Sequence, residues 1–167
     1  MKQLNYIDLF AGASALSEGF KRNCLNPVAH IEIDREACLT IKTRVAYHFL
    51  KAEKKLDSYY DYLTGKVSRD GLYDFLPKEY SESVINTEIN DESLEKIFST
   101  VKKKLKRQSN KELDLIVGGP PCQAYSLIGR HGIDWENDKR VSLYVQYGKF
   151  LKEFQPKVFV FENVPGL

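Results

Sequence analysis

Cysteine is scarce in this chain. Cys24, Cys38 and Cys122 are an odd set of three among 167 residues, with no Cys-x-x-Cys and no histidine at metal-ligand spacing. A disulfide framework and a zinc site are therefore excluded as organising devices, and no metal is expected. Charge of one sign is also lacking: the formal net charge of +2 is too small to argue for nucleic acid by itself. The one dense basic cluster, Lys102-Lys103-Lys104-Leu105-Lys106-Arg107, spreads around a helix and reads as a solvated face. No stretch approaches the roughly 20 apolar residues of a membrane span, and Met1-Lys2-Gln3-Leu4 does not lead into the apolar core of a signal peptide. Internal repeats, low-complexity tracts and a full Gly-x-Gly-x-x-Gly are absent as well. What remains is ordinary globular composition, 43% hydrophobic and 29% charged, at a length that suits one domain with a real core.

Periodicity then places elements. Leu4–Phe10 reads as a buried strand, followed by a turn at Gly12 and a helix over Ser14–Arg22. Val28–Ile33 is a second strand, and Asp34 can cap a helix carrying Ala37, Ile41 and Val45. Val84–Asn86 is a short third strand. Asp91–Arg107 is a helix with Leu94, Ile97, Phe98, Val101 and Leu105 on one face. Leu113–Val117 is a fourth strand, Val141–Phe154 a helix and Lys157–Phe161 a fifth strand. Residues 49–82, with their cluster of tyrosines, read as an insertion outside the sheet whose aromatics pack rather than stack on bases. The expected fold is α/β, a doubly wound and mostly parallel Rossmann-like sheet.

In such a sheet ligands bind where strands end at the carboxyl edge. Asp8-Leu9-Phe10-Ala11-Gly12-Ala13-Ser14 turns the first strand into the first helix, with small residues that let a ligand come close to backbone N–H groups. Glu32 ends the second strand, where a carboxylate can accept both hydroxyls of a ribose, although a helix-terminal acid explains it too. Cys122 follows Gly118-Gly119-Pro120-Pro121, a loop that glycine sharpens and proline stiffens, unlike the setting of an inert buried thiol. Glu162 ends the apolar run Val158–Phe161; a carboxyl there is expected to be partly desolvated and suited to share a proton near neutral pH. A thiol used as a nucleophile wants a reducing compartment, so a cytoplasmic setting is expected.

Together these segments resemble a known family. Asp8–Phe20 (DLFAGASALSEGF), Gly118–Ser126 (GGPPCQAYS) and Phe161–Val164 (FENV) are similar, in order and spacing, to the first, fourth and sixth signature motifs of the cytosine-C5 DNA methyltransferases. Asp138-Lys139-Arg140 with Leu143 resembles the fifth motif and Glu32 the second, while Glu88-Ile89 stands where the third usually has Asp-Ile. The resemblance implies methyl transfer from S-adenosylmethionine, leaving S-adenosylhomocysteine, to C5 of a cytosine flipped out of double-stranded DNA. It implies Cys122 as nucleophile on C6, Glu162 holding N3 and the exocyclic amine, and Arg140 holding the catalytic loop or a phosphate. Phe10 and Ile33 would flank the adenine, Glu32 would bind the ribose, and Glu88 and Ile89 would sit at the adenine edge. Ala11, Gly12, Gly119 and Leu143 would complete the cofactor pocket, with Pro121, Gln123, Ser126 and Asn163 in the substrate loops.

Ser14 and Ala15 stand where the family often has two glycines, so weaker or slightly shifted cofactor binding is expected. The family continues beyond Glu162 with further strands, an arginine motif that helps hold the base, and a target-recognition domain. On this reading residues 1–167 are a C-terminally truncated catalytic portion, active when complete or when paired with a complementary C-terminal chain. The alternatives are a cofactor- or partner-binding remnant without activity, and an RNA (tRNA) cytosine methyltransferase.

Overall fold

The computed structural model describes residues 3–121 and 143–163. Its frame is a five-stranded parallel sheet in the order β3-β2-β1-β4-β5, built from β1 (Asn5–Leu9), β2 (Asn26–Glu32), β3 (Val84–Asn86), β4 (Leu115–Gly118) and β5 (Val158–Phe161). The Rossmann-like doubly wound α/β architecture is thus the observed one. The central strand β1 is buried along its whole length, as a strand covered on both faces must be.

Alternation along β1 sorts the two faces. Ile7 and Leu9 point to the main core, where α6 (Asp91–Arg107) contributes Leu94, Ile97, Phe98, Val101 and Leu105, and α7 (Leu143–Phe154) contributes Tyr147 and Phe150. Tyr6 points to the other face, with Leu115, Val117 and residues Leu16 and Phe20 of α1 (Ala15–Arg22). On that face α2 (Arg35–Ala52) brings Cys38 and Ile41 against Val84 and Ala11. The helix starts where expected, because Asp34 accepts a hydrogen bond from Ala37 N at 2.7 Å. Asn90 and Ser93 form a reciprocal capping box at the start of α6.

α2 runs to Ala52, and α3 (Leu56–Leu63), α4 (Arg69–Tyr73) and α5 (Lys78–Ser81) follow, all off the sheet. Leu72 and Leu76 pack with Ala46 and Leu50 of α2, and Tyr59, Tyr62 and Tyr73 close over them. Tyr73 also donates its hydroxyl to Leu39 O at 2.7 Å, so most of this aromatic cluster is spent on packing. In the basic cluster, Leu105 is buried while Lys102 pairs with Glu153 and Arg107 with Glu82, as a solvated helix face predicts. β5 closes one side of the sheet with Val158 and Phe159 more than half exposed. Tyr147 ties that strand down by donating to both Ile116 O and Val160 O at 3.1 Å.

Candidate active site

The order β3-β2-β1-β4-β5 reverses direction between β1 and β4, so the crevice opens where the loops after these strands part. The loop after β1 forms one wall. Phe10, Gly12 and Ser14 have φ of 54°, 52° and 62°, three left-handed residues in five. Left-handed backbone costs an L-residue about 1–2 kcal/mol, so such a run persists only when its surroundings hold it. Gly12 is the conformation's natural residue, and the space where a Cβ would stand is open.

What holds the turn is Glu32. Its Oε2 accepts from Gly12 N at 2.7 Å and its Oε1 from Asp34 N at 2.8 Å, with the residue only 8% exposed. Each carboxylate oxygen keeps a further acceptor site, enough for two hydroxyls of a diol. Asn86, at the end of β3, donates to Glu32 O and Ile33 O and fixes the backbone that carries both residues. Sequence reasoning missed Asn86; its only signal is a polar residue closing a three-residue strand. Ile33 leaves its side chain 62% exposed beside this turn, an apolar surface of the kind a flat heterocycle covers. Phe10 is half-buried against the core. These residues fit an adenosine-type group: open space at Gly12, spare acceptors at Glu32 and an uncovered apolar side chain at Ile33.

Glu88 and Ile89 divide differently from expectation. Glu88 is exposed and its Oε2 accepts from Asn90 Nδ2, whereas Ile89 is 4% exposed and belongs to the main core. Its side chain belongs to the apolar core that α6 also lines. Ala11 is buried, and its N–H donates to Ile31 O. Leu143 opens α7, half-buried.

The loop after β4 forms the opposite wall. A Cβ on Gly118 would stand 2.5 Å from Leu9 O, and one on Gly119 would stand 2.6 Å from Glu162 Oε2. Gly118 is thus demanded by contact with backbone, while Gly119 lies directly against the Glu162 carboxylate. Glu162 is set there by its N–H, which donates to Gly118 O at 2.9 Å, continuing the β4–β5 ladder. Its side chain is exposed rather than partly desolvated, which corrects the expectation from sequence: β5 is the edge strand, so nothing described covers its end. Pro121 is exposed and Asn163 half-buried. Cys122, Gln123, Ser126 and Arg140 lie outside the described residues. Of the other thiols, Cys24 is exposed, while Cys38 is buried and burial pushes its pKa up, which suits packing and not attack.

Beneath the Gly12 turn lies a second group that sequence reasoning missed. Asp8 and His30 are register partners on β1 and β2, both pointing to the α1 face and 1% and 3% exposed. Their pairing was legible only as two polar residues inside apolar strands. Among the described residues, no cluster of three or more metal-ligating side chains occurs, and no helix is long and apolar enough to cross a membrane.

A parallel α/β sheet with a glycine turn after β1, and a glycine after β4 set against a carboxylate after β5, is a Rossmann-like frame whose polar groups gather at the carboxyl edge. Residues 74–167, more than half of the chain, match the C-5 cytosine-specific DNA methylase family, and the chain belongs to that family of enzymes. It is 39% identical to the type II methyltransferase M.Bpa9945I of Bacillus paralicheniformis, over 96% of this chain and 40% of that protein. It is 49% identical over 63 residues, 35% of this chain and 13% of the other protein, to the DNA (cytosine-5-)-methyltransferase M.ApeKI of Aeropyrum pernix. A crystal structure described as a DNA modification methyltransferase encoded within an E. coli prophage aligns with a TM-score of 0.53 and 25% identity, over 98% of this chain and 33% of that one. The chain thus spans well under half the length of these relatives.

Proposed function

We propose that this chain supplies the cofactor-binding and chemical portion of a type II DNA cytosine-C5 methyltransferase that acts through a covalent adduct between Cys122 and C6 of the base. The observation that carries the reading is the contact between Gly119 and Glu162, which sets a carboxylate at the root of the loop that leads to Cys122. The Gly12 turn, Glu32 and Ile33 would hold S-adenosylmethionine, which would supply an electrophilic methyl group on a sulfonium and leave as the neutral thioether S-adenosylhomocysteine. The chain's own residues do the rest. The Cys122 thiolate adds to C6, and the electrons displaced from the C5–C6 bond make C5 nucleophilic. Glu162 holds N3 and the exocyclic amine, stabilising the charge that spreads onto the ring. After C5 has taken the methyl, loss of its proton restores the double bond and expels Cys122. Arg140 would hold the catalytic loop or a phosphate, and Pro121, Gln123, Ser126 and Asn163 would serve as substrate-loop residues.

In this reading the portion that the relatives carry beyond the matched length chooses the DNA sequence, whether in the same chain or in a complementary one. The domain division proposed is a catalytic portion over 1–167 with an insertion at about 49–82, working in a prokaryotic cytoplasm.

The test is trapping on double-stranded DNA containing 5-fluorocytosine, which blocks the final proton loss. A stable protein–DNA adduct is expected with S-adenosylmethionine present and is expected to vanish in Cys122→Ser. An adduct that survives Cys122→Ser sinks the nucleophile assignment. Methyl transfer to tRNA but not to any DNA sinks the choice of substrate.

A further inference from the structure

We propose that His30 is a positioning residue for the cofactor turn, locking Ser14 in the left-handed conformation through a buried contact shared with Asp8. His30 Nδ1 lies 3.4 Å from Ser14 Oγ and 3.5 Å from Asp8 Oδ2, and the three residues are 3%, 4% and 1% exposed. Among the described residues Asp8 Oδ2 makes no hydrogen bond within ordinary range, and His30 Nδ1 faces it at 3.5 Å. The ring is itself fixed: it meets Tyr6 edge-on at a centroid distance of 6.4 Å, and its backbone N–H donates to Ser83 O. Tyr6 in turn donates its hydroxyl to Ser17 O on α1. In this setting His30 presents Nδ1 to Ser14.

Ser14 is where such a hold is needed. It is the N-cap of α1 but makes no side-chain cap hydrogen bond, and its φ is 62°. A capping serine ordinarily sits in extended backbone with its hydroxyl on the helix amides. Here the hydroxyl is turned away from the helix toward His30, and the peptide N–H of Ser14 donates back to Ala11 O at 2.7 Å. That last hydrogen bond closes the loop around Gly12, whose own N–H reaches Glu32. A glycine at this position would adopt the same backbone without help. The serine–histidine–aspartate contact stands in for that missing glycine, and it also explains why two polar strand residues are buried opposite one another.

The inference rests on the reading of the Gly12 turn as the S-adenosylmethionine site, and the experiment separates the two. Binding of S-adenosylmethionine and amide hydrogen exchange at Ser14 are measured on the chain in its complete natural form, for wild type, Ser14→Ala, Ser14→Gly, His30→Phe and the double variant His30→Phe with Ser14→Gly. Ser14→Ala is expected to weaken the cofactor about tenfold, through lost preorganisation. Ser14→Gly is expected to bind at least as tightly as wild type. His30→Phe, which keeps the ring volume, is expected to match Ser14→Ala and to speed exchange at the Ser14 amide, and the added glycine to restore both. Equal binding by Ser14→Ala and Ser14→Gly, or a His30→Phe loss that glycine does not repair, overturns the proposal. If wild type binds no S-adenosylmethionine the functional reading fails instead, while exchange at Ser14 still decides whether His30 holds the turn.

Discussion

At the amino end of the sheet Asp114 is buried with a partner for each oxygen: Asn5 N–H and Asn110 Nδ2 reach Oδ2 at 2.9 and 2.7 Å, and Lys157 Nζ reaches Oδ1 at 2.6 Å. At the carboxyl side of the same strands Asp8 is buried just as deeply, faces a histidine at 3.5 Å and has one oxygen without a hydrogen bond. The two carboxyls respond oppositely. For Asp114 burial pulls the pKa up, but Lys157, the Asn5 amide and Asn110 together hold it below the usual carboxylate range. For Asp8 burial dominates, the contacts with His30 and Ser17 offset it only in part, and the pKa is raised. The amino end is built for stability and closes its hydrogen bonds. The carboxyl end leaves acceptors, open space and left-handed backbone next to the crevice, which is what a site needs and a scaffold avoids.

The contrast breaks most sharply at Gly119. Gly119→Ala places a methyl group 2.6 Å from Glu162 Oε2. The carboxylate can swing away, so thermal stability is expected to hold while methyl transfer by the complete enzyme falls about 100-fold, the cost of displacing a reacting group by an ångström. Retained activity in a steady-state assay would show that Glu162 does not act from this position. The mirror-image change is Asp114→Ala, which strands the Asn5 and Asn110 donors. A loss of about 2 kcal/mol in denaturant unfolding is expected, without a change in cofactor affinity once folded.

A smaller effect is expected from Glu32→Gln. Its carboxamide offers one oxygen, so its nitrogen must face either Gly12 N–H or Asp34 N–H, donor against donor. Affinity for S-adenosylmethionine should drop about tenfold by calorimetry, from the disturbed turn and the lost diol acceptor. Unaltered affinity would remove Glu32 from the cofactor site.

The two aspartates should also separate by pH. Asp114, lowered in the folded state, contributes stability that is present above its unfolded value of 3.8 and is lost as pH falls through the folded value. Asp8, raised in the folded state, contributes stability below 3.8 that is lost as pH climbs through its higher folded value. Melting curves of Asp114→Asn should therefore show a flatter acid limb than wild type. Asp8→Asn should be relatively more stable near neutrality, an advantage that fades on acidification. Parallel pH profiles for both variants would contradict the assignment of opposite shifts.

Much of the frame was legible because hydrophobic period is a local property. Leu94, Ile97, Phe98, Val101 and Leu105 announce α6, and Asp34 announces the start of α2. Boundaries shifted where pairing extended a strand: β2 begins at Asn26 and not Val28, since Asn26 pairs with Asn5 and donates its N–H to Leu4 O. The site was legible in part. Gly12, Glu32, Gly119 and Glu162 all lie at or just past strand ends, and strand ends in a parallel sheet share an edge. That Ile89 joins the core and Glu162 is exposed was not legible, because neither the packing of α6 nor the position of β5 at the sheet's edge can be read from neighbours in the chain.

The α/β frame and the family were already written in spacing and residue type. The tertiary structure alone decided that Glu32 grips the Gly12 turn, that Asn86 pins Glu32, and that Asp8 and His30 lie side by side beneath Ser14. Those contacts join residues on different strands, and only the register of the sheet brings them within hydrogen-bonding distance.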